Sequence, residues 1–235
     1  MGMKEIQKEL ALAGNKETAD ILQRFFKTGK GEYGEGDVFR GIKVPIIRKL
    51  SKKYNDIFLS EVVKLLHSSF HEDRLLALLI LVEKYRKGNE ALKEKIFKLY
   101  LANAKYVNNW DLVDLSAEHI IGVHLFEKDK RLLTTLAKSN ILWERRIAVL
   151  SSFHFIKNGK FSETLTVAKI LLKDKEDLIH KAVGWMLREI GKRDLFIEEK
   201  FLRKHYKEMP RTMLRYAIER FPENKRKAYL TGKII

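Results

Sequence analysis

The 235-residue chain has no cysteine. Disulfides, thiolate zinc clusters, iron–sulfur centres and thiol nucleophiles are therefore excluded by composition. Proline is scarce: Pro45, Pro210 and Pro222 are the only three. Average usage of about 5% would give roughly 12. Five of the 13 glycines fall between Gly29 and Gly41, so breakers are sparse elsewhere and helix is expected throughout. No apolar run approaches the roughly 18 residues of a membrane span. Met1-Gly2-Met3-Lys4-Glu5-Ile6 lacks the basic-then-apolar pattern of a signal peptide, and Ile6 breaks the myristoylation pattern. The expectation is a soluble, cytoplasmic protein with no membrane partner.

Acidic residues are also in deficit. Against 47 Lys and Arg stand 31 Asp and Glu, a net charge of +16 and a sequence pI near 9.8. Such a field concentrates polyanions, of which nucleic acid is the commonest. The charge is uneven. Residues 105–140 balance at five basic against five acidic, whereas 176–235 carry fifteen against nine. The neutral stretch holds Asp111 and Asp114. A carboxylate facing nucleic acid there needs a reason other than phosphate binding.

Apolar residues are 45% of the chain and charged residues 33%, which excludes wholesale disorder. After residue 44 the apolar positions recur at helical spacing. Leu75, Leu76, Leu79, Ile80 and Val82 mark one helix, and Ile96, Phe97, Leu99 and Tyr100 a second. Further stripes are Val113/Ile120/Ile121, Ile147/Leu150/Ser151/His154 and Val183/Met186/Leu187/Ile190. Turn signals between them are short: Lys87-Gly88-Asn89, Ser139-Asn140, Asn158-Gly159, Gly191-Lys192 and Pro222-Glu223-Asn224. No period-2 strand stands out. The irregular segment is Thr28–Gly41.

A basic residue followed closely by alanine opens helices at Arg74-Leu-Leu-Ala77, Arg146-Ile-Ala148, Lys181-Ala182 and Arg215-Tyr-Ala217. The intervals are 72, 35 and 34 residues, and the skipped beat near residue 110 is where Trp110-Asp111 sits. A period of about 35–40 with two helices per unit reads as a HEAT-like array, an all-α, right-handed α–α superhelix or solenoid. A single domain over residues 1–235 is expected.

Several motifs carry less than they promise. Gly29-Lys-Gly31-Glu-Tyr-Gly34 matches G-x-G-x-x-G, but a dinucleotide cradle needs a preceding strand and a parallel sheet. Leu22–Phe26 reads instead as helix, and the glycine segment as a mobile basic loop. His67 and His71 stand four apart, without the acidic residue of a zinc-protease helix. His119, His124, His154, His180 and His205 add no ligand grouping. No nucleophile elbow or phosphate-binding loop occurs, so neither metal nor cofactor is expected.

Trp110-Asp111-Leu-Val-Asp114 is more informative. On a helix, Trp110 and Asp114 share a face one turn apart, and Asp111 points about 100° away. An indole beside a carboxylate in a basic setting suits a cationic, electron-poor species. The ordinary alternative is a core tryptophan and a capping or ion-paired aspartate. Trp143 precedes Arg146 by three residues, and Trp185 lies between Lys181 and Arg188, so indoles recur near charge in successive repeats. Trp143 also fits as a staple at the start of its helix.

Taken in order, Gly41-Ile42-x-x-Pro45-x-x-Arg48, Trp110-Asp-x-Val-Asp114, Leu142-Trp143-x-x-Arg146-x-Ala148 and His180-Lys181-Ala-x-Gly184-Trp185-x-Leu-Arg188-Glu189 resemble the bacterial DNA alkylation repair family of AlkD type. Its members are alkylpurine DNA glycosylases built from HEAT-like repeats. The resemblance implies Asp114 as the catalytic carboxylate, Trp110 and Trp185 as aromatic walls and Arg146 as a holder of the DNA backbone. Two features depart from the pattern: Asn108-Asn109 where a relative has a further tryptophan, and the glycine-rich stretch Tyr33–Asp37.

With that resemblance comes an expected chemistry. An N3- or N7-alkylated purine is already cationic and leaves readily. The carboxylate would stabilise oxocarbenium charge on the deoxyribose, and Arg146, Lys181, Arg188 and Arg215 would neutralise flanking phosphates. The expected partner is duplex DNA containing alkylated purines, bound by a monomer that has no base pocket and cleaves no strand. The competing readings are a non-catalytic HEAT-repeat nucleic-acid-binding protein and a protein–protein scaffold.

Overall fold

The computed structural model describes residues 2–234. The chain divides into two compact units, Met1–Ser116 and Ala117–Ile235, a subdivision that the sequence periodicity does not announce. The first holds α1 (Met3–Ala13), α2 (Lys16–Phe25), α3 (Val44–Lys53), α4 (Leu59–Leu66), α5 (His71–Lys87), α6 (Glu90–Ala102) and α7 (Trp110–Asp114). The second holds α8 (Val123–Leu125), α9 (Arg131–Ala137), α10 (Leu142–Ser151), α11 (Phe153–Lys157) and α12 (Ser162–Ile170). It continues with α13 (Asp177–Gly191), α14 (Leu195–His205), α15 (Arg211–Ala217) and α16 (Glu223–Thr231). Among the described residues the only β pairing is an isolated bridge between Val38 and Phe70. The fold is all-α, of HEAT-like helical repeats.

Each unit is organised around one helix. In the first, α5 packs against α3, α4 and α6. Every residue from Leu75 to Leu81 is buried. A helix apolar on all sides has to be enclosed by its neighbours, and the Leu75–Leu81 run answers that requirement. In the second unit α13 packs against α10, α14 and α15, burying Ile179, Val183, Met186, Leu187 and Ile190. Its approach to α15 is close enough that a Cβ on Gly184 would lie 2.4 Å from the Met213 carbonyl oxygen. Helix starts are set locally: the Asn15 side chain accepts from Thr18 N–H, Asn89 from Leu92 N–H and Asp194 from Ile197 N–H.

Two expected stripes are interrupted. Val113 belongs to α7, but Ile120 and Ile121 lie in a single π-helical turn, Glu118–Gly122. Ser152 separates α10 from α11, so Ile147, Leu150 and Ser151 fall on one helix and His154 on the next. The breaks leave the residues buried except His154, so periodicity located the core without locating the joints.

The glycine segment differs from the mobile basic loop expected. Lys30 and Arg40 are outnumbered by Glu32, Glu35 and Asp37. Side chains pin it: Glu32 accepts from Gly29 N–H at 2.9 Å and Glu35 from Gly31 N–H at 2.8 Å. At its end the buried Glu72 carboxylate accepts the backbone N–H groups of Arg40, Gly41 and Ile42 at 2.8–3.0 Å. Gly41 has φ +80°, and a Cβ there would sit 2.0 Å from the Asn15 carbonyl oxygen. Only glycine fits that position.

Candidate functional site

In the first unit, α7 is a short helix whose start is held by Asn109: the Asn109 side chain accepts from Trp110 N–H at 2.8 Å. Its two carboxylates have separate fates. Asp111 is buried, accepting Leu112 N–H at 2.9 Å and meeting His71 Nε2 at 2.8 Å. Asp114, one turn from Trp110, is half-exposed, as is Trp110 itself. Burial pushes the pKa of the neighbouring Tyr100 phenol up, and the Asp114 charge adds to that direction.

Around the Trp110 indole is a cluster of rings in which Phe26 also meets the His71 imidazole directly, at 5.0 Å. The indole stacks on Phe26 at 5.2 Å and 21°, Phe26 on Phe39 at 5.0 Å and 19°, and Phe39 on the His71 imidazole at 4.5 Å and 21°. Phe25 meets the same indole edge-on at 6.0 Å and is 61% exposed, an apolar ring left in solvent beside it.

Sequence reasoning missed what lies beneath. His71 Nδ1 is 3.1 Å from Asp37 Oδ2, so the ring bridges Asp37 and Asp111. Asp37 also receives Arg74 at 2.5 Å and the side-chain amides of Asn109 and Asn108 at 3.0 and 3.3 Å. Burial alone would discharge His71, but the bonds and charges of Asp111 and Asp37 outweigh it and raise its pKa to about 9. Burial likewise opposes ionisation of Asp37, yet His71, Arg74 and Asn109 together hold its pKa below the ordinary aspartate value. A faint signal existed, the i,i+4 pair His67/His71, but the structure separates the two. His67 ends α4 against Asn103 Oδ1 and Tyr106, and no group of metal ligands occurs among the described residues.

The second unit carries the remaining candidates. Trp185 is half-exposed on α13, its ring 5.8 Å from Phe153. Burial opposes ionisation of Glu189, but hydrogen bonds from Lys192, Arg193 and the Trp185 side chain hold its pKa low. Trp185 is thereby tied to a carboxylate one turn along its own helix. Lys181 pairs with Asp177 at 2.7 Å, Arg188 pairs with Glu219, and Arg215 is exposed. Trp143 is buried as the second residue of α10, inside the helix rather than at the flanking position of a staple.

Arg146 is the exception among the expected backbone-binding cations. It is only 5% exposed and donates to the Leu178 carbonyl at 2.6 Å, which ties α10 to α13. The bonding pattern also adjusts the repeat register. Arg74 donates to the carbonyl of Ser68, six residues earlier, and pairs with Asp37. Arg145 donates to the carbonyl of Ser139, also six residues earlier, and pairs with Asp174 at 2.6 Å. The helix-opening cation of the repeat is thus matched at Arg74 and Arg145.

Among curated proteins none matches the chain. A solved structure that is similar is a predicted DNA alkylation repair enzyme from Enterococcus faecalis, with a TM-score of 0.64 and 17% identity over 89% of this chain and 97% of that one. At that identity the likeness establishes the fold. The model of the DNA alkylation repair enzyme family matches residues 6–221, nearly the whole sequence, and includes every α7, α10, α13 and α15 residue described above. The chain belongs to the DNA alkylation repair enzyme family.

Proposed function

We propose that this family member is a monofunctional glycosylase that hydrolyses the N-glycosidic bond of N3- and N7-alkylated purines in duplex DNA. The observation that carries this reading is the division within α7. One carboxylate, Asp111, is buried against His71, while the other, Asp114, is half-exposed one turn from a half-exposed indole.

The alkylated purine carries a positive charge before any bond breaks. As the C1′–N bond lengthens, its electron pair returns to the base, which leaves neutral, and the charge passes to the deoxyribose. The Asp114 carboxylate, held on a short helix, attracts that oxocarbenium charge more strongly than the ground state. The Trp110 ring adds cation–π attraction. Water then attacks C1′ and gives up a proton, leaving an abasic sugar. No lysine amine enters the step, so the strand stays intact. Neutral lesions such as uracil lack the charged leaving group and are not substrates.

Lys181, Arg188 and Arg215 are assigned to phosphates, with Asp177 and Glu219 exchanged for phosphate at the first two. Trp185 is assigned as an aromatic contact to the duplex from the second unit. Arg146, buried against Leu178, supports α13 beneath these groups. A single chain suffices for all of these roles.

The test is release of free 3-methyladenine and 7-methylguanine from methylated duplex DNA. The Asp114→Asn variant is expected to lose about 100-fold or more in single-turnover rate, with duplex affinity little changed. Equal rates in native and variant chains remove the role of Asp114. Salt-dependent binding without base release from the native chain favours the non-catalytic reading.

A further inference from the structure

We propose that His71 is the positioning residue for Trp110: gripped by Asp111 at one ring nitrogen and by Asp37 at the other, it fixes the first turn of α7 and the plane of the indole over Phe26. The catalytic consequence rests on the glycosylase reading above; the positioning stands on geometry alone.

Four observations converge. Ionised carboxylates only accept hydrogen bonds, so a ring contacting one at 2.8 Å and another at 3.1 Å donates from both nitrogens and is an imidazolium. The residues flanking Trp110 are tied to the same network. Asn108 and Asn109 donate to Asp37, Asn109 also accepts Trp110 N–H, and Asp111 bonds His71. The backbone on both sides of the indole therefore has little slack. The ring cluster supplies a second, independent link, since Phe26 stacks on Trp110 at 5.2 Å and meets His71 at 5.0 Å, both directly and by way of Phe39. The charged groups facing His71 are Asp37 from the glycine loop, Asp111 from α7 and, through Asp37, Arg74 from α5. Two cations thus balance two carboxylates.

The cost of this arrangement argues for its purpose. All four charged groups are buried, where removal from water is expensive and well-packed apolar residues of similar volume commonly do as well or better for stability. What an ionic network adds over an apolar patch is a single directional geometry. Here that geometry ends on an aromatic ring that is itself half-exposed.

The experiment labels the chain with 5-fluorotryptophan, which places one fluorine resonance on each of Trp110, Trp143 and Trp185, assigned by single Trp→Phe substitutions. In His71→Gln the Trp110 resonance is expected to shift or broaden while the other two stay in place. Base release should fall by about 10- to 100-fold, as expected for a misplaced contact, with affinity for undamaged duplex unchanged. In a Trp110→Ala background, adding His71→Gln should change the rate no further. The shape-conserving Asp111→Asn carries the same test where His71→Gln does not fold. The native chain supplies a third measure, because its Trp110 resonance should move as pH rises through about 9. Unmoved Trp110 signals in the folded variants, or an equal rate loss with and without the indole, overturn the proposal. A native Trp110 signal that is flat through that pH range does the same. Absence of base release from every chain instead defeats the glycosylase reading, and the fluorine signals still decide the positioning.

Discussion

The N-terminal end of α5 and the exposed side of α13 use charge in opposite ways. At α5, His71, Glu72, Asp73 and Arg74 are four consecutive buried ionisable residues, each bonded to the glycine loop, α7 or neighbouring backbone, with Arg74 Nε left without a partner. Arg40 completes the set, pairing with Asp73 at 2.7 Å while lying over the Phe70 ring at 3.8 Å. On α13, Lys181 and Arg188 sit in ion pairs with Asp177 and Glu219, whose own side chains are about half-exposed. Buried and paired, a charge acts as a directional fastener whose loss strands its partner. At the surface it contributes little to stability but projects a field that a polyanion feels. The same residue types therefore set geometry in one unit and, under the function proposed above, supply affinity for a polyanion in the other.

The sharpest way to break this contrast is Asp37→Ala. It leaves the buried Arg74 without its carboxylate and His71 with Asp111 alone, and the expected loss is about 3–5 kcal/mol of unfolding free energy in urea. A loss below 1 kcal/mol would mean the network is not buried in solution. Removing the cation by pH instead of mutation comes next. The His71 pKa is raised above its unfolded value, so its stabilisation is fully present below about pH 6.5 and is lost as pH climbs through about 9. The linkage is worth on the order of 3 kcal/mol, read as a falling native Tm that is absent in His71→Gln. Asp37 acts in the opposite sense. Its pKa is lowered, so its contribution disappears as pH falls below the ordinary aspartate range.

In the second unit the largest stability effect should come from a neutral residue. Gly184→Ala forces α13 away from α15 and should cost about 1–3 kcal/mol by calorimetry. The smallest effects are expected where charge is most visible. Lys181→Ala and Arg215→Ala should each change unfolding free energy by less than about 0.5 kcal/mol. Each should also flatten the dependence of log affinity for duplex DNA on log salt by about one unit. A drop of several kcal/mol in either variant would place these cations with the fasteners of α5.

Much of the fold could be read in advance, because apolar spacing and the absence of breakers are local properties. The burial of Leu75–Leu81 and of the Val183–Ile190 stripe follows from them directly. The pairing of Trp110 with Asp114 on one face was equally local, a matter of helical pitch. What escaped was every role that depends on a distant partner. Asp37 lay in a segment that looked like a mobile loop, yet it lies 34 residues from His71 and 72 from Asn109 in sequence while touching both. His71 was weighed only as a metal ligand, because spacing can suggest a ligand pair but cannot reveal two carboxylates brought in by other segments. Arg146 carried the motif of a phosphate contact and is buried against Leu178.

Composition and periodicity were by themselves enough to specify an all-helical chain with a strongly cationic surface, since both are sums over residues and their near neighbours. Which charges face solvent and which lock the interior was decided only by folding, because burial and partner choice are set by contacts between segments far apart in the chain. Asp111 and Asp114 stand three residues apart and carry the same kind of side chain. Only the packing of α5 and the glycine loop against one face of α7 makes the first a fastener and leaves the second accessible.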